Sequence, residues 1–265
     1  NHADIGGNAY IIFKDKYLLI ENIQESFQVV SKIADKANRA LDYLRIAQCE
    51  VGNFEQLPGI AGMMNDGIMG VFQLEFKTEG RLETRLLSGR VTTMIKDGLG
   101  LYQSCDFLKS DYQSTLYKSF FDSKKSLLFS TCKNALHRVA DSFYMNNFNI
   151  AFIYLMSTLE MLADPDKYIG FQTVKSKILP FIAKNKSSYH MMSNELKNIS
   201  MNLRTDVVHN GKSLYEIYNS EEEIISLLNK LITIITSYVF EINQLDIANY
   251  EQLDVLRKQK ISELG

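Results

Sequence analysis

Arg204 and His209 have the residue types that phosphodiester chemistry needs, in the stretch L-R-T-D-V-V-H-N-G from Leu203 to Gly211. A guanidinium offers a fixed, permanently positive fork to phosphate oxygens. An imidazole changes charge near neutrality, so it can take or give a proton. The bland alternative is a surface cation and a helix-end residue, because Arg-x4-His is a short pattern.

A helix must carry the pair. Apolar residues recur at Met192, Leu196, Ile199, Leu203 and Val207, one face of a helix, with Ser187 or Ser188 available to cap its start. Gly211, after Asn210, marks its end. At about 100° per residue, Arg204 and His209 fall about 140° apart, both off the apolar stripe. Met201, Val208, Thr205 and Asn198 make up a mixed back face that suits a partner better than bulk water.

Other constellations carry less. His137 and Asp141 are four apart on a helix predicted over 125–143, a spacing that can hold a metal, but no third ligand accompanies them. The four histidines are scattered, and neither a metal site nor a cofactor is expected. Gly211, Lys212 and Ser213 imitate the end of a phosphate-binding P-loop. Asp206 stands where that motif needs glycine, and a helix precedes it instead of a strand, so ATP binding is rejected.

The remaining elements position this stretch. Asn149 to Ala163 is apolar almost all round and predicts the central buried helix, interrupted by one acid, Glu160. A buried acid needs a partner: either it accepts hydrogen bonds from a neighbouring helix, or it holds Arg204 or orients His209. Pro180 should kink or split the helix that starts at Phe171. Ser220 and Glu223 form a capping box for a last long helix with a stripe of Ile224, Leu227, Leu228, Leu231, Ile235, Tyr238 and Ile242. Residues 251–262 read as a charged terminal helix or tail.

The earlier part of the chain is mixed. Ala9 to Ile20 predicts a hairpin, Glu25 to Cys49 a helix, and Gly52 to Gly70 a glycine-rich loop. Phe72, Leu74 and Phe76, then Leu82, Thr84 and Leu86, alternate with polar residues across a turn at Glu79 and Gly80 and predict a second hairpin. The fold expectation is therefore mainly α: a small α+β unit over 1–111, then an all-α helical bundle over 112–265.

Composition sets bounds. The chain has 265 residues, is 46% hydrophobic and 23% charged, and carries a net charge of −2. A binder of long duplex nucleic acid is normally more basic, so any RNA must be held by a local patch. Three unpaired-looking cysteines, Cys49, Cys105 and Cys132, fit a reducing cytoplasm. No signal peptide is visible, and Leu231 to Phe240 is too short to span a bilayer, so no membrane is expected. The chain opens on Asn1 with no initiator Met, which leaves room for an upstream domain.

Three stretches carry a family resemblance: F-I-Y-L-M-S-T-L-E-M-L (Phe152 to Leu162), F-Q-T-V-K-S-K-I-L (Phe171 to Leu179) and N-L-R-T-D-V-V-H-N-G (Asn202 to Gly211), the last followed by an acidic helix start and a long apolar helix. In their order they resemble the Apea-like branch of the HEPN superfamily, whose motif is Arg, four to six residues, then His. The resemblance extends over residues 112–245. It implies a metal-independent endoribonuclease of bacterial anti-phage defence or toxin systems. Arg204 and His209 would be catalytic, Thr205, Asp206 and Asn210 would position the phosphate, and Glu160 would support them from behind. RNA, single-stranded or structured, is the implied substrate, and a homodimer the implied state, with a defence-system partner as a further possibility. The competing implication is an inactive HEPN domain that only dimerises or binds a partner or RNA.

Overall fold

The computed structural model describes residues 23–53, 57, 60, 69–76, 82–90, 111–121, 126–167, 169–245, 247 and 249–264. The expected hairpin at Ala9 to Ile20 and most of the glycine-rich loop lie outside them. The fold is mainly α. Contacts divide the chain into two units: one of Asn1–Asp42 with Glu55–Tyr102, the other of Tyr43–Phe54 with Gln103–Gly265.

The first unit holds most of helix α1 (Ile23–Gln48) and an antiparallel hairpin, β1 (Met69–Phe76) with β2 (Leu82–Arg90). Phe72 faces Leu86, Leu74 faces Thr84 and Phe76 faces Leu82, the register that the alternation predicts. The strands run further than the alternation suggested, past an irregularity between Val71 and Phe72, so Met69 and Gly70 belong to β1 instead of the loop.

The second unit is a helical bundle. It contains α2 (Asp111–Phe121), α3 (Leu127–Ser142), α4 (Phe148–Ala163), α5 (Phe171–Ile182) and α6 (Lys186–Asn198). A π turn (Ile199–Leu203), α7 (Arg204–Val208), α8 (Leu214–Ile217), α9 (Glu221–Gln244) and α10 (Tyr250–Leu264) complete it. α9 packs against α2, α3, α4 and α5, and every residue of its expected stripe is buried. By length and composition α9 could cross a membrane, contrary to the sequence estimate, which counted only its central run. Half of its most apolar window is buried in the bundle, which accounts for that composition by core packing. Ser220 caps α9 as expected, but Glu223 reaches back to the Asn219 N–H instead of closing on Ser220.

Several local expectations are corrected. α4 is buried on one side only: Phe152, Leu155 and Leu159 are fully enclosed, whereas Ile150 and Ile153 are exposed. Pro180 neither kinks nor splits α5. It sits in the last turn, where its missing N–H removes one bond shortly before the helix ends at Ile182. His137 packs edge-on against Phe120 at 5.4 Å, and Asp141 accepts from the Tyr154 hydroxyl at 3.3 Å, so both residues also meet groups beyond their own helix. Residues 251–262 do form a terminal helix, within α10, where Leu253 and Arg257 are buried and Arg257 donates to the Lys177 carbonyl at 3.2 Å.

Two polar seams bind the bundle. On α3, Arg138 donates to Thr158 Oγ1 at 2.8 Å and to the Tyr154 carbonyl at 3.3 Å, and it lies over the Tyr154 ring at 3.9 Å. At the end of α1, Arg45 is fully buried and donates to the Tyr144 hydroxyl at 2.7 Å. Just beyond, Gly52 has φ 82°, a left-handed backbone that favours glycine, and a Cβ there would have to displace the tip of Ile225, whose Cδ1 would lie 2.6 Å away.

Candidate active site

The helix that carries the motif begins at Asn185, not at Ser187 or Ser188. Asn185 accepts from the Ser188 N–H at 2.9 Å, and the Ser188 hydroxyl accepts from the Asn185 N–H at 3.0 Å, a reciprocal cap. Leu196, Ile199, Leu203 and Val207 of the expected stripe are buried, while Met192 is only half-buried. Between Ile199 and Leu203 the helix widens into a π turn, and the Arg204 N–H closes on the Ile199 carbonyl. Such single π turns are rare and recur at functional sites. Two successive steps of four in the stripe, Ile199 to Leu203 to Val207, are the sequence trace of it.

Arg204 opens α7 and turns inward. Its Nη2 lies 3.0 Å from Glu160 Oε1 on α4, with side chains 28% and 16% exposed. That oxygen is inaccessible to solvent and sits off the donor direction, so the contact is an ion pair without a directed hydrogen bond. Burial pushes the Glu160 carboxyl above its ordinary value, and Arg204 offsets this only in part. Glu160 on α4 thus meets Arg204 on the neighbouring α7, a contact that is compatible with both sequence readings of the acid.

His209 closes α7. Its N–H bonds the Thr205 carbonyl at 2.9 Å, and its side chain is exposed, as are those of Thr205 and Asn210. The turn beyond is tied locally. Asn210 Nδ2 donates to Asp206 Oδ1 at 2.9 Å, and Lys212 Nζ lies 3.1 Å from the same oxygen. These bonds, Asn210 first, hold the Asp206 carboxyl below the usual range. Gly211 takes φ 69°, which lets the Lys212 N–H return to the Asp206 carbonyl at 3.0 Å. Asp206 and Asn210 thus brace the turn that presents His209.

Sequence reasoning missed the residue that fixes this turn from outside. Asn149, at the start of α4, donates to the Lys212 carbonyl at 3.1 Å and accepts from the Leu214 N–H at 2.9 Å. The only signal was a polar residue opening an otherwise apolar helix. α4 and α7 therefore run antiparallel, tied at one end by Glu160 and Arg204 and at the other by Asn149. The outer apolar side chains of the pair, Ile150, Ile153 and Val208, remain exposed, as does Met201 on the π turn.

Among the described residues, no three His, Cys, Asp or Glu side chains converge in a metal-binding group. The arrangement supplies a half-buried cation and an exposed imidazole on one short helix, beside a shallow depression of about 290 Å³ lined by Asn194, Lys197, Asn198, Met201 and Asn202. No family model, curated protein or solved structure matches the chain.

Proposed function

We propose that the bundle is a metal-independent endoribonuclease of the HEPN type, working in the cytoplasm as part of a bacterial anti-phage defence or toxin system. The observation that supports it most is the division of labour on α7: Arg204 is anchored through Glu160, while His209 is exposed at the helix end. In this reading a ribose 2′-OH attacks its own 3′ phosphate. His209 takes the 2′ proton or delivers one to the departing 5′ oxygen. Arg204 stabilises the charge that grows on the phosphorane. The products are a 2′,3′-cyclic phosphate and a 5′-OH. Thr205, exposed one turn before His209, would offer its hydroxyl to a phosphate oxygen.

A second copy of the chain completes this reading. The exposed Ile150, Ile153 and Val208 give it an apolar surface to cover, and two-fold pairing would bring two motifs together. One histidine then acts as base and the other as acid. The same ion pair also favours a rival, an inactive HEPN module, because Glu160 already neutralises Arg204.

The test is cleavage of mixed RNA by purified protein. Arg204→Ala and His209→Ala should each abolish the release of 5′-OH fragments while the protein stays folded. Wild type co-refolded with the Arg204→Ala/His209→Ala double variant should lose activity as the square of the wild-type fraction. A linear loss would sink the shared site, and an inert wild type would leave the inactive module.

A further inference from the structure

The π turn has a geometric effect on the surface of the motif helix. Its wider closure slackens the rotation per residue, so that side chains four apart stay nearly in line. Lys197, Met201, Thr205 and His209 form such a row, with Asn194, Asn198 and Asn202 beside it, and all seven are exposed. Asn202 Nδ2 donates to Asn198 Oδ1 at 2.6 Å, so the two amides are linked into a short ladder. Together with Lys197 and Met201 they line the depression of about 290 Å³.

The charge of this face is one-sided. The row and the ladder contain no carboxylate. Lys197 has no carboxylate partner among the described residues, and the nearby Glu195 is taken by Lys230. Behind the row lies Lys175, only 4% exposed, whose ammonium donates to the Ser193 carbonyl at 3.3 Å and to its hydroxyl at 3.4 Å. Burial, and then the neighbouring Lys197, push its pKa down, so two positive charges are felt together here.

We infer that this face is a binding track for single-stranded RNA: Lys197 contacts a backbone phosphate, and Asn198 and Asn202, flanked by the Met201 thioether, receive a base upstream of the phosphate presented to His209. The chemistry matches its parts. Primary amides offer a donor and an acceptor to a base edge, and a polarizable thioether packs on a base face. Seven residues separate Asn202 from His209, about 10 Å of helix. That is about three stacked nucleotides. Sequence-specific RNA recognition favours single strands, whose bases can be splayed into such a depression. The track rests on the ribonuclease reading for its polarity toward His209, but not for binding itself.

The experiment measures binding and cleavage separately. The full chain in a His209→Ala background is titrated with a fluorescent single-stranded oligoribonucleotide of about ten nucleotides, in EDTA, over a range of salt. Asn198→Ala/Asn202→Ala should weaken binding about tenfold, as two lost hydrogen bonds would. Lys197→Ala should lower the slope of log affinity against log salt by about 0.7, the value of one phosphate contact on a single strand. Lys258→Ala, an exposed cation on α10, should leave both unchanged. Circular dichroism confirms that each variant is folded. Binding unchanged in the amide variant, an equal loss in Lys258→Ala, or no binding at all overturns the track. If the wild type cleaves RNA and the amide variant does so equally well, the track fails while the ribonuclease reading stands. If the wild type binds through these residues and never cleaves, the nuclease reading fails and the track stands.

Discussion

Removing the Arg204 guanidinium should destabilise the bundle in a way that depends on pH. Exposed ion pairs contribute about 0.2–1 kcal/mol, and breaking a fully buried pair costs about 3–5 kcal/mol. With side chains 28% and 16% exposed, the Arg204–Glu160 pair stands between these limits. Arg204→Ala should therefore cost about 1–3 kcal/mol at neutral pH, where a carboxylate with one inaccessible oxygen is left unpaired. The sign follows from the raised Glu160 value. A carboxyl whose folded-state pKa exceeds its unfolded one binds its proton more tightly when folded. Its stabilising contribution is full below the unfolded value and is lost as pH rises through the folded one. Without Arg204 the folded value rises further, so the penalty should shrink on acidification and grow toward neutrality. Glu160→Gln removes the charge, and the double variant Glu160→Gln/Arg204→Ala should be more stable at neutral pH than Arg204→Ala alone. Urea unfolding of the four proteins on both sides of the titration measures this. A pH-independent penalty, or strictly additive losses, would refute the view that Glu160 is held against its desolvation cost by Arg204. The same data fix how much of any lost cleavage in Arg204→Ala reflects chemistry.

Three further outcomes are expected. Cleavage should continue in EDTA, since the proposed steps use His209 and Arg204; activity lost on chelation and restored by Mg²⁺ would overturn their roles. Gly211→Ala should cost about 1–2 kcal/mol in urea unfolding through its left-handed backbone alone, because a Cβ there meets nothing within 4 Å; a neutral result would show that the turn relaxes freely. In a Cys105→Ser variant, iodoacetamide at neutral pH should leave the folded protein unlabelled, because burial pushes Cys49 up to about 11 and Cys132 up to about 12; rapid labelling would show that the bundle opens.

What was legible in the sequence was periodic. The α9 stripe, the buried side of α6 and α7 and the pairing of β1 with β2 each repeat an apolar residue at a spacing that the backbone dictates. The polar ties were not legible. Nothing local in the sequence distinguishes Arg45 and Arg138 from exposed arginines, yet one is sealed against Tyr144 and the other is spread over α4. Nor did any pattern join Tyr43 to Phe54 with helices far along the chain, since the edge-on contacts of Tyr43 with Tyr117, Phe120 and Phe121 depend on topology. At the candidate site, an acid inside an apolar helix announced a partner, and Arg204 is that partner. The brace of Asp206, Asn210 and Lys212 was missed because it arises only once Gly211 reverses the chain.

Asn149 has one more consequence, for how this protein can vary. Its amide donates to Lys212 and accepts from Leu214, doing for a loop what a neighbouring strand does for an extended chain. Asp lacks the donor, Ser lacks the reach, and Leu lacks both, so few side chains can substitute. Thr205 and Val208 face outward and tolerate exchange as far as folding is concerned. Among descendants of this sequence, an asparagine that never changes at position 149 would therefore record the upkeep of a loop and would not by itself signal a retained activity. A selection experiment that retained folding alone would separate the two: it should hold 149 fixed while 204 and 209 wander within the limits that the charge of Glu160 sets.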